Sequence, residues 1–361
     1  MLTSYYNDQL KRKVIIYISL SVASIFMAEP TKQFDPIHVS PNSEFFIALC
    51  QYGAHSYVTL GVKMGDKTEV LAAVGKVAGY DSSACGFFFD STDAFIKNER
   101  FLFDKDKEYE VAYKAYALTY QHYLQFLHYL QVLSLSQTNA KIVSFSLMAY
   151  APTTENPAVL QWGSIEDFDA SALPPSAVDL DQHAYIGLWG NTCRHSAVQL
   201  TKDAIKCSDL GNAVSSAFFQ SPPLHAVFSK GKVEKTTPYF YVLPLPPTAF
   251  DAMLPRKFKI INQLYRRLDE IVLSEQNNPI TIQKFNQLKD LYNHLTRDSK
   301  TSIIDVMNGV EQWEEAHRSL ISTHRKTHWF SFQTATQKMF VDFHKEFAAL
   351  RVSPESVSCS S

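Results

Sequence analysis

The sequence predicts an α+β protein, and three observations predict it. A β-hairpin pattern runs from Gly53 to Gly75, and a strand–turn–helix pattern runs from Ala184 to Ile205. From Pro255 onward, apolar residues recur at helical spacing in successive segments separated by short breakers. The expected layout is an apolar N-terminal segment over 1–34 and a mixed α+β domain over 35–250. An antiparallel helical bundle over 251–350 and a polar, disordered tail over 351–361 follow.

Composition bounds the function. The chain has 361 residues, enough for two or three domains with ample core. Lys plus Arg is 34 against 36 for Asp plus Glu, a formal charge of −2, so bulk charge does not point to nucleic acid. The five cysteines (Cys50, Cys85, Cys193, Cys207, Cys359) are odd in number and irregularly spaced. That argues against a disulfide framework and for a reducing place of action. Cys193 and His195 lack the further ligands and spacing of a zinc site, so neither metal nor cofactor is expected.

Taken in order, Lys11–Lys13 followed by Val14–Ala28 has the basic and apolar regions of a signal peptide. Three readings stand: a signal, a membrane-associated segment, or a true start at Met27. Phe45–Cys50 is a short apolar strand. Gly53–Lys63, a turn at Met64–Lys67 and Thr68–Gly75 form the hairpin, with His55 at its mouth. Tyr80–Asn98 reads as a loop carrying the island Phe87–Phe89. Tyr113–Leu135 reads as an amphipathic helix whose stripe includes Tyr116, Tyr120, Tyr123 and Leu127, with Thr119 as N-cap. Ile142–Tyr150 is a strand, and Pro152–Pro175 is a long connector with Trp162 isolated in it. The Pro-rich stretch Phe218–Pro247 supplies one edge strand within Thr237–Pro247, or a polyproline ligand. Helical faces then follow over Phe258–Ile271, Ile282–Leu295, Ile303–Leu320 and Trp329–Leu350.

The chemistry concentrates at Cys193. Tyr185, Ile186, Leu188 and Trp189 read as a short buried strand, Gly190–Thr192 as a turn with an N-cap, and Ala197–Ile205 as helix. Cys193 therefore stands at a helix N-terminus, where unpaired amides and the helix dipole favour thiolate. A buried structural cysteine is the alternative. His55, on a rigid strand, is a base able to face that thiol; a satisfied core histidine is its alternative.

A His-led strand, a return strand, a long insertion and then Asn191-Thr-Cys193-Arg-His195 ahead of a helix resemble the circularly permuted papain fold. The NlpC/P60 and lecithin–retinol-acyltransferase-like proteins have that fold, and the likeness covers roughly Asp35 to Ser208. It implies thiol-dependent acyl transfer with Cys193 as nucleophile, His55 as base and acid, and helix N-terminal amides for the oxyanion. Two departures stand out. Thr192 separates the asparagine from the cysteine, and the return strand Leu71–Gly75 offers no polar third residue opposite His55. His195 is expected to be structural, Asn191 to orient the turn, and Arg194 to be an exposed helix residue. The missing third residue supports a rival reading, a non-catalytic scaffold whose bundle (255–350) grips a host protein or membrane surface.

The Thr192–Ala197 run, the Phe240–Pro247 run and the Ser/Glu-containing tail also resemble effectors delivered by a Dot/Icm type IV secretion system. That resemblance implies action in a host cytosol on a host protein or lipid. A real signal or anchor at 1–28 implies the bacterial envelope instead.

Overall fold

The computed structural model describes residues 34–79, 91–140, 146–175, 177–187, 191–205, 220–234, 239–250, 253–273, 275–298, 301–323 and 333–352. Residues 1–33 of the N-terminal segment, the Phe87–Phe89 island, Leu188–Gly190, residues 353–361 of the expected tail, Cys85, Cys207 and Cys359 lie outside these residues, while Arg351 and Val352 end a helix and not a disordered tail. No described helix is long and apolar enough to cross a membrane. The fold is mixed α+β, and the chain divides into two compact units at Val242/Leu243.

The first unit is built on β2 (Glu44–Tyr52), β3 (His55–Met64) and β4 (Lys67–Ala78), with a short β1 (Ile37–His38) ahead of them. Their long apolar runs are buried along nearly their whole length, as expected of strands covered on both faces. Gly53 (φ 58°) and Gly65 (φ 61°) take the left-handed turn positions that let both connections be two residues long. β5 (Thr92–Asn98) pairs with β4, and β6 (Tyr109–Leu118) pairs with β2. β10 (Leu224–Ser229) pairs with β6 and with β11 (Lys232–Val233), which returns to β4 through Lys232 and Glu69. Six strands therefore close into a barrel, in the order β4, β3, β2, β6, β10, β11. Closure leaves the second half of β4 free to carry β5 outside the ring.

Phe46, Tyr113, Tyr116, Phe228 and Tyr241 are fully buried in this unit, and Phe240 stacks on Tyr113 with centroids 4.4 Å apart. Helix α1 (Tyr120–Asn139) is capped by Thr119, whose hydroxyl accepts from the His122 amide at 3.0 Å. A separate sheet joins β1, β8 (Val159–Ser164) and β7 (Met148–Pro152). After α2 (Leu180–Ala184) and β9 (Tyr185–Ile186), helix α3 (Cys193–Ile205) packs on β2, β3 and β4.

The second unit follows β12 (Val242–Leu243). It comprises α4 (Pro255–Ile271), α5 (Pro279–Thr296), α6 (Ile303–Ala316), α7 (Arg318–Ser322) and α8 (Ala335–Val352). Pro255 and Pro279 sit in first turns, where a missing amide hydrogen costs nothing. Asn278 and Ser302 cap α5 and α6. The stripes Ile261, Leu264, Leu268 and Phe285, Leu288, Tyr292 are buried, as their spacing predicts.

Several expectations are corrected. Tyr113 and Tyr116 lie on strand β6 and not on the helix, because Ala112–Leu118 find β-ladder partners on β2. Trp162 is on β8, with Phe34, Phe103 and Tyr150 around it. Part of the Tyr80–Asn98 loop is β5. The Pro-rich stretch yields β10 and β11, while only Val242–Leu243 of its expected edge strand pairs. Tyr185 is 46% exposed, so the strand before Cys193 is not buried at that residue.

Candidate active site

Cys193 is the first residue of α3, and Thr192 caps that helix. The Thr192 hydroxyl lies 3.4 Å from the His195 amide and accepts its hydrogen, while His195 Nδ1 accepts from the Thr192 amide at 3.3 Å. This is a reciprocal capping box with histidine in the place usually held by Glu or Gln. Accepting at Nδ1 requires neutral imidazole there. Burial, aided by the nearby Lys76 charge, lowers the His195 pKa in that direction. His195 is thus a cap partner, and the amides of Cys193 and Arg194 are left at the helix mouth.

His55 begins β3, directly opposite Tyr52. Its Nε2 lies 2.7 Å from Glu99 Oε1, and the imidazole is close enough to Cys193 for each to shift the other's ionisation. His55 keeps 26% of its side-chain surface and Glu99 only 5%, so the acid is enclosed and the base still reaches the mouth. The Ser56 amide donates to Cys193 Sγ at 3.4 Å. Tyr57 stacks beside the imidazole, with centroids 5.7 Å apart.

The electrostatics follow from that geometry. Burial alone pulls His55 down, but the Glu99 carboxylate overrides it and, with the Cys193 contact, holds the imidazole up at about 10. Burial pushes the Cys193 thiol up. The His55 hydrogen bond and charge, the Ser56 amide and the Lys76 charge together bring it below its ordinary value. Glu99 stays below the usual carboxylate range because His55 outweighs its burial. The three shifts act together, each toward the charged form: thiolate, imidazolium and carboxylate. Cys50, buried without such partners, is pushed up to about 12.

Glu99 is the residue that sequence reasoning missed. On the return strand β4, the stretch Leu71–Gly75 that faces His55 offers no polar third group, and Glu69 lies near the turn. Glu99 follows β5, the next strand over, and its amide bonds to Ala73 O at 2.8 Å. A bulge between Leu60 and Gly61 shifts the register so that Gly75 lies opposite Tyr57. A Cβ at Gly75 would stand 2.3 Å from Glu99 Oε1 and 2.8 Å from His55 Nε2, so the His–Glu bond crosses a space only glycine leaves open.

Lys76, on β4, is 1% exposed. Its ammonium donates to Gln182 O at 2.8 Å, to Tyr185 O at 2.9 Å and to Asn191 Oδ1. It ties the segment ahead of α3 to the barrel and sets a positive charge near the thiol. Burial pulls it down to about 7, opposed by the charge on Cys193. Lys76→Met is expected to raise the pH midpoint of Cys193 alkylation, and Lys76→Arg to raise it less; unchanged profiles in both would remove Lys76 from the site. Asn191 therefore anchors the turn, as the sequence suggests.

Arg194 corrects its expectation. It is 1% exposed, donates to Gln51 Oε1 at 3.3 Å and to Gln220 O, and is therefore no surface residue. Its neighbours on β2 and at Gln220 enclose it beneath the helix start.

The geometry thus brings Cys193, His55 and Glu99 together on the barrel-containing unit. No protein-family model, curated protein or solved structure matches the chain.

Proposed function

We propose that the chain is a thiol-dependent acyl-transfer enzyme built on a permuted papain-like core. The observation that carries this reading is the convergence of Cys193, His55 and Glu99 from a helix start and two strands. Cys193 thiolate attacks a carbonyl carbon, forming a C–S bond and a tetrahedral oxyanion that faces the Cys193 and Arg194 amides. Imidazolium His55 gives its proton to the departing amine or alkoxide as the C–N or C–O bond breaks, leaving a thioester. Neutral His55 then takes a proton from the acceptor, which attacks the thioester and returns the thiolate. Water as acceptor makes a protease, amidase or deamidase; an amine or alcohol makes an acyltransferase. Glu99 orients the ring and stabilises its cation. With Glu99 in place, the ground for the scaffold reading, a missing third residue, falls away. The likeness of Thr192–Ala197 and Phe240–Pro247 to type IV effectors extends the proposal to a host protein or lipid as substrate, with 255–350 as a partner-binding surface.

The test is a pH series of iodoacetamide labelling with peptide mapping, on wild type, Cys193→Ser and His55→Ala. Cys193 is expected to label near pH 6 well ahead of the other four cysteines, and to slow by roughly a hundred-fold in His55→Ala. Labelling no faster than that of Cys50, and indifferent to His55, would sink the proposal.

A further inference from the structure

At the other end of the β3–β4 hairpin from His55 lies a second concavity, a cleft of about 700 Å³. β3 is ten residues long, so the cleft is roughly 30 Å from the thiol at about 3.3 Å per residue. It is separate from the chemistry above.

Three turns bring lysines to its rim. Lys67 comes from the β3–β4 turn, Lys105 from the link between Phe103 and β6, and Lys230 with Lys232 from the β10–β11 turn. Aromatic surface lies among them, from Phe34, Phe103 and Tyr150, with Trp162 touching all three rings. The carboxylates on the wall are Asp35 and Glu69, and His38 also faces the space. Glu69 is taken by Lys232 at 3.4 Å. The side chains of Lys67, Lys105 and Lys230 have no hydrogen bond or ion pair among the described residues. Positive charge therefore exceeds negative around an aromatic hollow, on a chain whose formal charge is −2.

Lys230 is held in a defined position by its turn. It holds φ at 56°, fixed by its amide bonding to Asp104 O at 3.1 Å and by the Gly231 amide bonding to Leu102 O at 2.8 Å. The two-residue β10–β11 turn asks for φ above zero at both Lys230 and Gly231, a conformation glycine adopts more readily than lysine. From that turn Lys230 presents its cation to the cleft.

We infer that this cleft binds a phosphorylated ligand with a flat or apolar body. The phosphate oxygens meet Lys67, Lys105 and Lys230, and the body lies against Phe103 and Tyr150. The same chemistry is offered by a soluble phosphate ester and by an acidic lipid headgroup, and two arms separate them. Calorimetric titration of the full chain with ATP and with inorganic triphosphate probes the first. Co-sedimentation with phosphatidylcholine vesicles, with and without phosphatidic acid, probes the second. Saturable binding is expected in one arm, tighter for ATP than for triphosphate in the soluble arm, and weakened by salt in either. Lys105→Ala and Lys230→Gly are each expected to weaken it by about five-fold or more. Lys230→Gly relieves backbone strain, so loss of binding there is not loss of fold. Cys193→Ser is expected to bind as wild type does, which keeps this result independent of the acyl-transfer reading. No saturable binding in either arm, or binding unchanged in both lysine variants, would overturn the assignment.

Discussion

Glu99→Gln is expected to slow Cys193 alkylation at pH 6 by roughly a hundred-fold and to move its pH midpoint upward. The substitution keeps shape and one hydrogen bond to His55 Nε2 but removes the charge that holds the imidazole at about 10. With burial then unopposed by Glu99, the imidazole titrates far lower. The thiol loses its cationic partner across neutral pH and returns toward an ordinary cysteine. The profile is the diagnostic readout. In wild type, activity is expected to fall in acid as Cys193 takes up its proton and in alkali as His55 loses its own near 10. In Glu99→Gln the two limbs approach each other. A profile identical to wild type would remove Glu99 from the site.

The same pair makes a pH-dependent contribution to stability, and its sign can be worked out. His55 is raised in the folded chain, so its contribution is complete below the ordinary value of 6.5 and is lost as pH rises through about 10. Glu99 is lowered, so its contribution is complete above 4.5 and is lost as pH falls through the folded value. The stability gap between wild type and Glu99→Gln should therefore be widest between about pH 4.5 and 6.5 and shrink toward pH 10. Urea unfolding at three pH values measures it.

How much of this was legible in the sequence depends on the range of the interaction. Local signals carried well. The Gly65–Asp66 turn, the cap Thr119, the bundle stripes and the placing of Cys193 at a helix start all follow from contacts within a few residues. The capping box was half visible: Thr192 is a familiar cap, but His195 in the glutamate position is not a pattern one searches for. Long-range pairing was not legible. β11 contributes two residues, and its return to β4 closes the barrel, yet nothing in Lys232–Val233 announces a partner more than 160 positions earlier. Glu99 was hidden for a related reason. A hairpin specifies only its own two strands, and β5 joins β4 after a segment with the composition of a loop. Arg194 was misjudged because helical spacing identifies faces, and this residue of the first turn is buried by chain distant in sequence, at Gln51 and Gln220.

Gly75 is where those long-range effects meet, and Gly75→Ala should break the site without touching any of its three reactive side chains. The added Cβ would fall 2.3 Å from Glu99 Oε1, 2.8 Å from His55 Nε2 and 2.9 Å from Tyr57 Cβ. Tyr57 is fully buried and Glu99 is enclosed, so neither has a free direction in which to retreat. The expected cost is about 1–3 kcal/mol of stability, as for overpacking elsewhere. It should come with a parted His–Glu bond and a Cys193 alkylation profile like that of Glu99→Gln. Gly163→Ala is the control, because nothing lies within 4 Å of a Cβ there. A general loss of fold would slow no single thiol selectively and would instead expose Cys50, which burial otherwise keeps protonated. Peptide-mapped labelling therefore tells the two apart. Cys193 slowed while Cys50 stays silent means the bulge-set register has been felt at the base. If Gly75→Ala labels at Cys193 as wild type does, the His55–Glu99 contact is not what activates the thiol.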